Sequence, residues 1–299
     1  MTGRALVGVS GWRYPRWRGD FYPRGLPQRL ELTYAAERMT SIEVNGSFYS
    51  LQRPTSYAAW RDATPDDFVL ALKGGRYLTH LKRLVDVKTP LANFFASGVL
   101  ALGPKLGPIL WQLPETLAFD PRVLESFLAL LPHNTDQASK LAARHDDKLS
   151  VRAVIAPRAE TTVLHAVEPR HPSFDTAAAR ALCAEHGVAI VMADSAGRWP
   201  TLTDTNESSG STGSPDAARA SSTLHYLRLH GETDLYTGGY TDASLDRWAK
   251  RCRDWLALGH DVHVYFDNDA QGHAPYDAMR LLERLGRSGG PTGRPTPAP

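Results

Sequence analysis

The segment HVYFDND, His263 to Asp269, starts with aromatic and β-branched residues and ends in two carboxylates and an amide. A stretch apolar enough to be buried on both faces therefore carries Asp267, Asn268 and Asp269 at its tip. Other apolar runs end the same way: SIEVN in Glu43 and Asn45, FVLALK in Lys73, and GPILWQ in Gln112. VLHAVEPR ends in Glu168 and Arg170, VAIVMAD in Asp194, and LHYLRLH in Arg228 and His230. These groups suit acid–base work. Glu43, Glu168 and Asp267 are candidate proton carriers, and His230 joins them because its ordinary pKa lies near neutrality. Paired carboxylates are also the arrangement of glycoside hydrolysis. Lys73, Arg76, Arg170 and Arg228 can hold an anion and keep the carboxylates ionised.

Side chains on a strand alternate between its two sides. Ile42 and Val44 take one side and Glu43 and Asn45 the other. The same alternation groups Ala71 with Lys73, Leu110 with Gln112, and Ala166 with Glu168 and Arg170. It also groups Ile190 and Met192 with Asp194, Tyr226 with Arg228 and His230, and Tyr265 with Asp267 and Asp269. Each strand thus keeps one apolar side for packing, while its other side turns polar toward the C-terminal end. An unpaired buried carboxylate costs several kcal/mol, on the order of 3–5, so these acids need cations beside them. Ion pairs that merely plug a core would meet that need too. The number of polar tips of both signs favours a site.

The elements that would carry these tips follow a regular rhythm. Strands are expected at Ala5–Ser10, Ser41–Phe48, Phe68–Gly74, Gly107–Leu113, Val163–Arg170, Val188–Asp194, Leu224–His230 and Asp261–Asn268. Helical patterns lie between most of them, at Leu26–Met39, Leu91–Leu102, Pro121–Leu131, Phe174–His186, Ser244–Leu258 and Pro275–Leu285. Strand-then-helix order implies parallel strands. Eight of them predict a closed α/β architecture, a single (β/α)8 TIM-like barrel whose strand ends meet at one mouth. An open doubly wound parallel sheet is the alternative. The barrel is expected over 1–285. His133–Thr162 is expected as an insertion or a ninth, edge strand. Gly197–Ser222 is expected as a flexible loop and Gly286–Pro299 as a disordered tail.

Composition bounds the function classes. The chain has 299 residues, a net charge of +2 and 42% hydrophobic residues, enough for a large core and too neutral for indiscriminate nucleic-acid binding. Its two cysteines form no CxxC pair, and no apolar stretch approaches a membrane span, so a cytoplasmic protein with no membrane partner is expected. GWRYPRWRGDFYP interleaves Trp12, Tyr14, Trp17, Phe21 and Tyr22 with three arginines. If those rings roof the mouth, Trp12 and Tyr14 can stack a ligand. A nucleic-acid-binding or nucleic-acid-processing protein is therefore one alternative. KGGRYLTH adds Arg76 and His80 to the rim without Walker spacing.

These stretches resemble the DUF72, or YecE-like, family. So do SIEVNGSFYSLQRPTSYAAW, FVLALKGGRYLTHLKRL, LGPILWQLPETLAFD, VEPRHPSF, YLRLHG and VYFDND, in order from about Val7 to Leu282. The resemblance implies a TIM-barrel fold and no established activity. Against the family pattern VEFRHPSW, this chain has Pro169 for an aromatic and Phe174 for Trp; Pro169 removes a ladder donor from a central strand.

The expected function is a hydrolase or lyase acting on an anionic, phosphate-bearing or sugar-like substrate at the mouth. Glu43, Glu168, Asp267 and His230 would be catalytic. Asn45, Lys73, Arg76, His80, Gln112, Arg170, Asp194, Arg228, Asn268, Trp12 and Tyr14 would contact substrate. A non-catalytic metabolite-binding protein is a further alternative. No cofactor is expected and no metal ligand is assigned. His230, Glu168, Asp194 and Asp267 could ligate a divalent ion, but four cations in the same mouth oppose one.

Overall fold

A computed structural model of the chain describes residues 3–149, 153–202 and 223–286. Its strands are β1 (Ala5–Ser10), β2 (Ser41–Val44), β3 (Val69–Lys73), β4 (Leu106–Gln112), β5 (His165–Glu168), β6 (Ala189–Ile190), β7 (Met192–Asp194), β8 (Leu224–Leu229) and β9 (Asp261–Phe266). Every pairing is parallel, in the order β6-β5-β4-β3-β2-β1-β9-β8-β7. The two ends of that order are halves of one strand, interrupted at Val191. The Val191 N–H still donates to the Val167 carbonyl of β5 at 2.8 Å. The first half pairs with β5 and the second with β8, so the sheet comes round as a nearly closed TIM-like barrel. The open doubly wound sheet is excluded.

Two apolar shells follow from the strand alternation. Val9, Ile42, Leu72, Ile109, Val167 and Val264 face outward into the shell shared with the helices. Each such fully buried aliphatic side chain contributes about 1.5–3 kcal/mol. Ala71, Leu110, Ala166, Val191, Tyr226 and Tyr265 fill the barrel interior. The helices that close the outer shell start on side-chain caps where the sequence offers them. Asp120 accepts from the N–H groups of Arg122 and Val123 ahead of Pro121–Leu128, and Thr241 accepts from Ser244 ahead of Asp242–Ala257.

Several expected boundaries move. The second strand stops at Val44, and Gly46–Tyr49 turns into a short helix, so Asn45 sits at the strand tip. A helix at Pro54–Asp62 and a π-helical turn at Tyr77–Leu81 were not expected. Pro169 falls one residue past the end of β5, where no ladder donor is needed. Within His133–Thr162, Thr135–Ala142 is a helix with Ala138 and Ala142 in the core, and Asn134 and Thr162 form an antiparallel bridge. The segment is an excursion, with no edge strand among its described residues. Of the expected flexible loop, residues 197–202 are described: Trp199 is buried, and Arg198 and Trp199 both donate to Glu115. The remainder, 203–222, and the expected tail from 287 onward lie outside the described residues. No helix among the described residues is long and apolar enough to cross a membrane.

Candidate active site at the barrel mouth

Arg228, on β8, lies wholly buried at the centre of the barrel. Nε donates to Glu43 Oε2 at 3.1 Å, and Nη1 to Glu168 Oε2 at 2.8 Å. Nη2 donates to Glu43 Oε1 at 2.9 Å, Ser10 Oγ at 3.0 Å and Asp267 Oδ2 at 3.0 Å. Three carboxylates from β2, β5 and the end of β9 thus converge on one guanidinium. Glu43 has no capacity left: Ser10 Oγ donates to Oε1 at 2.5 Å and the Tyr226 hydroxyl to Oε2 at 2.7 Å. Glu168 also accepts from Arg170 Nη2 at 3.3 Å and lies 3.2 Å from His230 Nε2. Burial alone would raise the Glu168 pKa; Arg170, Arg228 and His230 outweigh it and hold the carboxyl well below its ordinary value. These groups form a polar floor.

Above the floor the side chains open toward solvent. The Asp267 side chain is 17% exposed. Burial opposes its ionisation, but Arg228, His230 and Lys73 bring its pKa down to about 2. Its Oδ2 takes the Arg228 bond and lies 3.1 Å from His230 Nδ1, misaligned for a hydrogen bond. Oδ1 makes no hydrogen bond among the described residues. Arg170, 12% exposed on its side chain, lays its guanidinium 3.6 Å from the centre of the Trp199 ring. Nη1 of Arg170 also has no hydrogen bond among the described residues. Lys73, at the tip of β3, is 9% exposed, with Nζ 4.5 Å from the centre of the Phe48 ring. His80 stands edge-on to the same ring, bonded through Nδ1 to Thr79 Oγ1 at 2.9 Å. Burial, then Lys73, Arg170 and Arg76, pull His80 down to about 4, so it is neutral at pH 7. Gln112 lies 3.5 Å from His80, and Asn45 donates to Ser10 Oγ at 3.0 Å. Arg76 is exposed on the rim. The Tyr14 hydroxyl donates to the Ser10 carbonyl at 2.5 Å, with its pKa raised by burial and then by Asp267, Asp269 and Glu43. Asp269 accepts from Trp17 Nε1, and burial pushes its pKa up to about 7.

Five expected roles are corrected. Arg228 cannot hold a substrate anion, because its donors are taken by the floor and it has no exposure. Glu43, saturated by three partners, holds Arg228 and has no oxygen left for a substrate. Asp194 belongs to the outer side: its strand neighbour Met192 packs in the helix-facing shell, and burial, the largest influence on its carboxyl, raises its pKa. Val191, not Ile190 or Met192, fills the interior from this strand. Asn268 points outward too, donating to Asp277 Oδ2 at 2.8 Å and the Gly238 carbonyl at 2.9 Å. Trp12 packs edge-on against Trp60 at 5.7 Å in the outer core. Trp17, Phe21 and Tyr22 are also buried, so none of these four rings offers a stacking face at the mouth.

Sequence reasoning missed Trp199, which backs both Arg170 and His230, and Tyr236, whose ring meets His230 edge-on at 5.5 Å. It also missed Ser10 and Tyr226 as donors to Glu43. Ser10 carried a signal, since it ends the first strand at the height of the other polar tips. Among the described residues, no group of three or more His, Cys, Asp or Glu side chains is placed to hold a metal ion.

The family described as "Protein of unknown function DUF72" matches residues 6–299. Over 132 residues the chain is 30% identical to the UPF0759 protein YecE of Escherichia coli strain K12, covering 42% of this chain and 44% of that protein. The match therefore spans less than half the length of that curated relative. The fold is similar to that of a DUF72 family protein from Thermotoga maritima, with a TM-score of 0.68 and 21% identity, covering 95% of this chain and 99% of the other. A DUF72 family protein from Enterococcus faecalis gives 0.67 at 14% identity, covering 99% of both chains. At such identities the likeness speaks for the fold.

Proposed function

The chain belongs to the DUF72 family of proteins of unknown function, and from the geometry of its barrel mouth we propose that it is an acid–base enzyme, a lyase or hydrolase. Its substrate is a small anionic compound, phosphate-bearing or sugar-like. One observation carries this reading: above a saturated floor, Asp267 keeps an oxygen and Lys73 an amine with no hydrogen bond among the described residues, both side chains are partly exposed, and each feels the other's charge. A plug made only for stability would pair them, because an unpartnered charge near a protein interior is costly. Asp267, ionised at neutral pH, takes and returns the proton. His230 lies between Glu168 and Asp267, with Nε2 3.2 Å from Glu168 and Nδ1 3.1 Å from Asp267, and holds the two carboxylates in place. Arg170, fixed by Glu168 and Trp199, directs Nη1 at the anion, with Arg76 on the rim and Lys73 opposite. Asn45, Gln112, His80 and Tyr14 supply neutral hydrogen-bonding contacts.

Calorimetric titration with sugar phosphates and phosphorylated three-carbon compounds tests the reading. At least one should bind below 1 mM, and Arg170→Met should weaken it about ten-fold, the loss of one charge-assisted contact of roughly 1.4 kcal/mol. Asp267→Asn should abolish turnover while retaining binding. A panel in which no anion binds, or in which Asp267→Asn turns over at the full rate, would end the proposal.

A further inference from the structure

Resting on the reading that this mouth binds a small anionic substrate, we infer that Lys73 is its covalent centre, condensing through the ε-amine with the carbonyl of a small anionic aldehyde or keto compound to give an iminium.

The contrast with the other buried cations motivates this. Lys105 is as buried as Lys73, and its Nζ donates to the carbonyls of Arg61 at 2.7 Å and Thr64 at 2.6 Å, as a structural lysine should. Arg228 and Arg170 are likewise tied to carboxylates. Lys73 Nζ makes no hydrogen bond, and no carboxylate lies within ion-pair distance of it, among the described residues; its one close partner is the face of Phe48. Anion holding does not require such an arrangement, since Arg170 and Arg76 already supply fixed charge. Desolvation and a neighbouring cation, here Arg228, are what free a lysine lone pair, and they act against the pull of the Phe48 face toward the ammonium form. Burial, then the charge of Arg228, bring its pKa down to about 8 against the pull of Glu43, Asp267 and Glu168. Roughly a tenth of the amine is therefore neutral at pH 7.

In the step itself the neutral amine attacks the carbonyl carbon, the C=O pair moves to oxygen, and that oxygen takes up a proton as the nitrogen gives one up. The carbinolamine then expels its hydroxyl as water with a second proton as the nitrogen pair forms C=N. The balance is amine plus carbonyl plus one proton giving iminium plus water, with no oxidant or reductant. The iminium draws electrons from the adjacent C–H or C–C bond, and Asp267 Oδ1 accepts the released proton. This narrows the proposed substrates to anionic carbonyl compounds and the reaction to lyase-type chemistry.

The test incubates the full-length protein at pH 8 with dihydroxyacetone phosphate, glyoxylate or pyruvate, adding sodium borohydride to reduce any iminium. Intact mass and peptide mapping follow. One secondary-amine adduct per chain should form on Lys73 with at least one probe, at least ten-fold above the exposed Lys88 and Lys148. Lys73→Arg should lose the adduct while background labelling of Lys88 and Lys148 is unchanged, and glycerol 3-phosphate, which has no carbonyl, is titrated into the unsubstituted protein alongside. Labelling confined to exposed lysines, or no adduct on Lys73 with any probe, overturns the inference. If glycerol 3-phosphate still binds in that case, the anion-binding reading stands. If it does not, that reading fails too. Should the variant not fold, the site of labelling in the unsubstituted protein decides alone.

Discussion

Arg228 directs Nε and Nη2 to Glu43, Nη1 to Glu168 and Nη2 again to Asp267, so removing it strands three carboxylates in the barrel. Arg228→Met is expected to lower stability by about 3–5 kcal/mol, read from urea unfolding at pH 7. An effect within about 0.5 kcal/mol would mean that the acids take up protons or water at little cost. The acids also set the pH dependence, with two opposite signs. Glu168 and Asp267 have lowered folded-state pKa values. Their contribution is present above the ordinary carboxylate range, near pH 4, and is lost as pH falls toward 2. Asp269 is raised to about 7. The folded state therefore holds its proton between about pH 4 and 7 where the unfolded chain does not, and stability declines as pH rises through that window. Asp269→Asn, which still accepts from Trp17, should flatten the slope between pH 5 and 8 in the urea midpoint. An unchanged slope would assign it to other groups.

Strand β3 presents Lys73, and its exit is shaped by the next residue. A Cβ on Gly74 would sit 2.3 Å from the Trp111 ring, and that ring is wedged among Phe94, Phe127 and His165. Gly74→Ala should cost about 1–3 kcal/mol of overpacking and shift the β3 tip. Thermal unfolding and phosphate-ester binding should both suffer; an unchanged melting curve would show that Trp111 can yield. The split sixth strand shows how an element can mislead. Its polar tip, Asp194, matched the others by type, yet the strand turns Val191 inward and Asp194 toward the helix Asp242–Ala257. Burial there raises the pKa of the carboxyl. Alternation by itself gives two faces without saying which is interior, and polarity at the tip was the wrong guide wherever a helix residue could serve as partner.

Across the whole barrel, the question is whether the polar floor is needed for the fold or only for the site. Replacing Glu43 and Glu168 with Leu together with Arg228→Met removes the centre of the paired set, leaving Asp267 and Arg170 at the partly exposed edge without these partners, and paired sets are often replaceable by apolar residues at little cost. The triple variant should recover at least half the stability lost in Arg228→Met and bind no anion. Failure to recover would mean that the polar set specifies the barrel itself. From the sequence alone came the parallel order of strands, the barrel, and the gathering of Glu43, Lys73, Glu168, His230 and Asp267 at one end. Apolar periodicity and strand–helix alternation are local and survive in the linear chain. Only the tertiary structure decided which of those groups face a ligand. That depends on partners 60 to 185 residues apart, such as Arg228 with Glu168 and Glu43, or on a helix behind a strand, as for Asp194 and Asn268. Whether a charge is saturated or free is a property of the contacts around it, and no local pattern records those contacts.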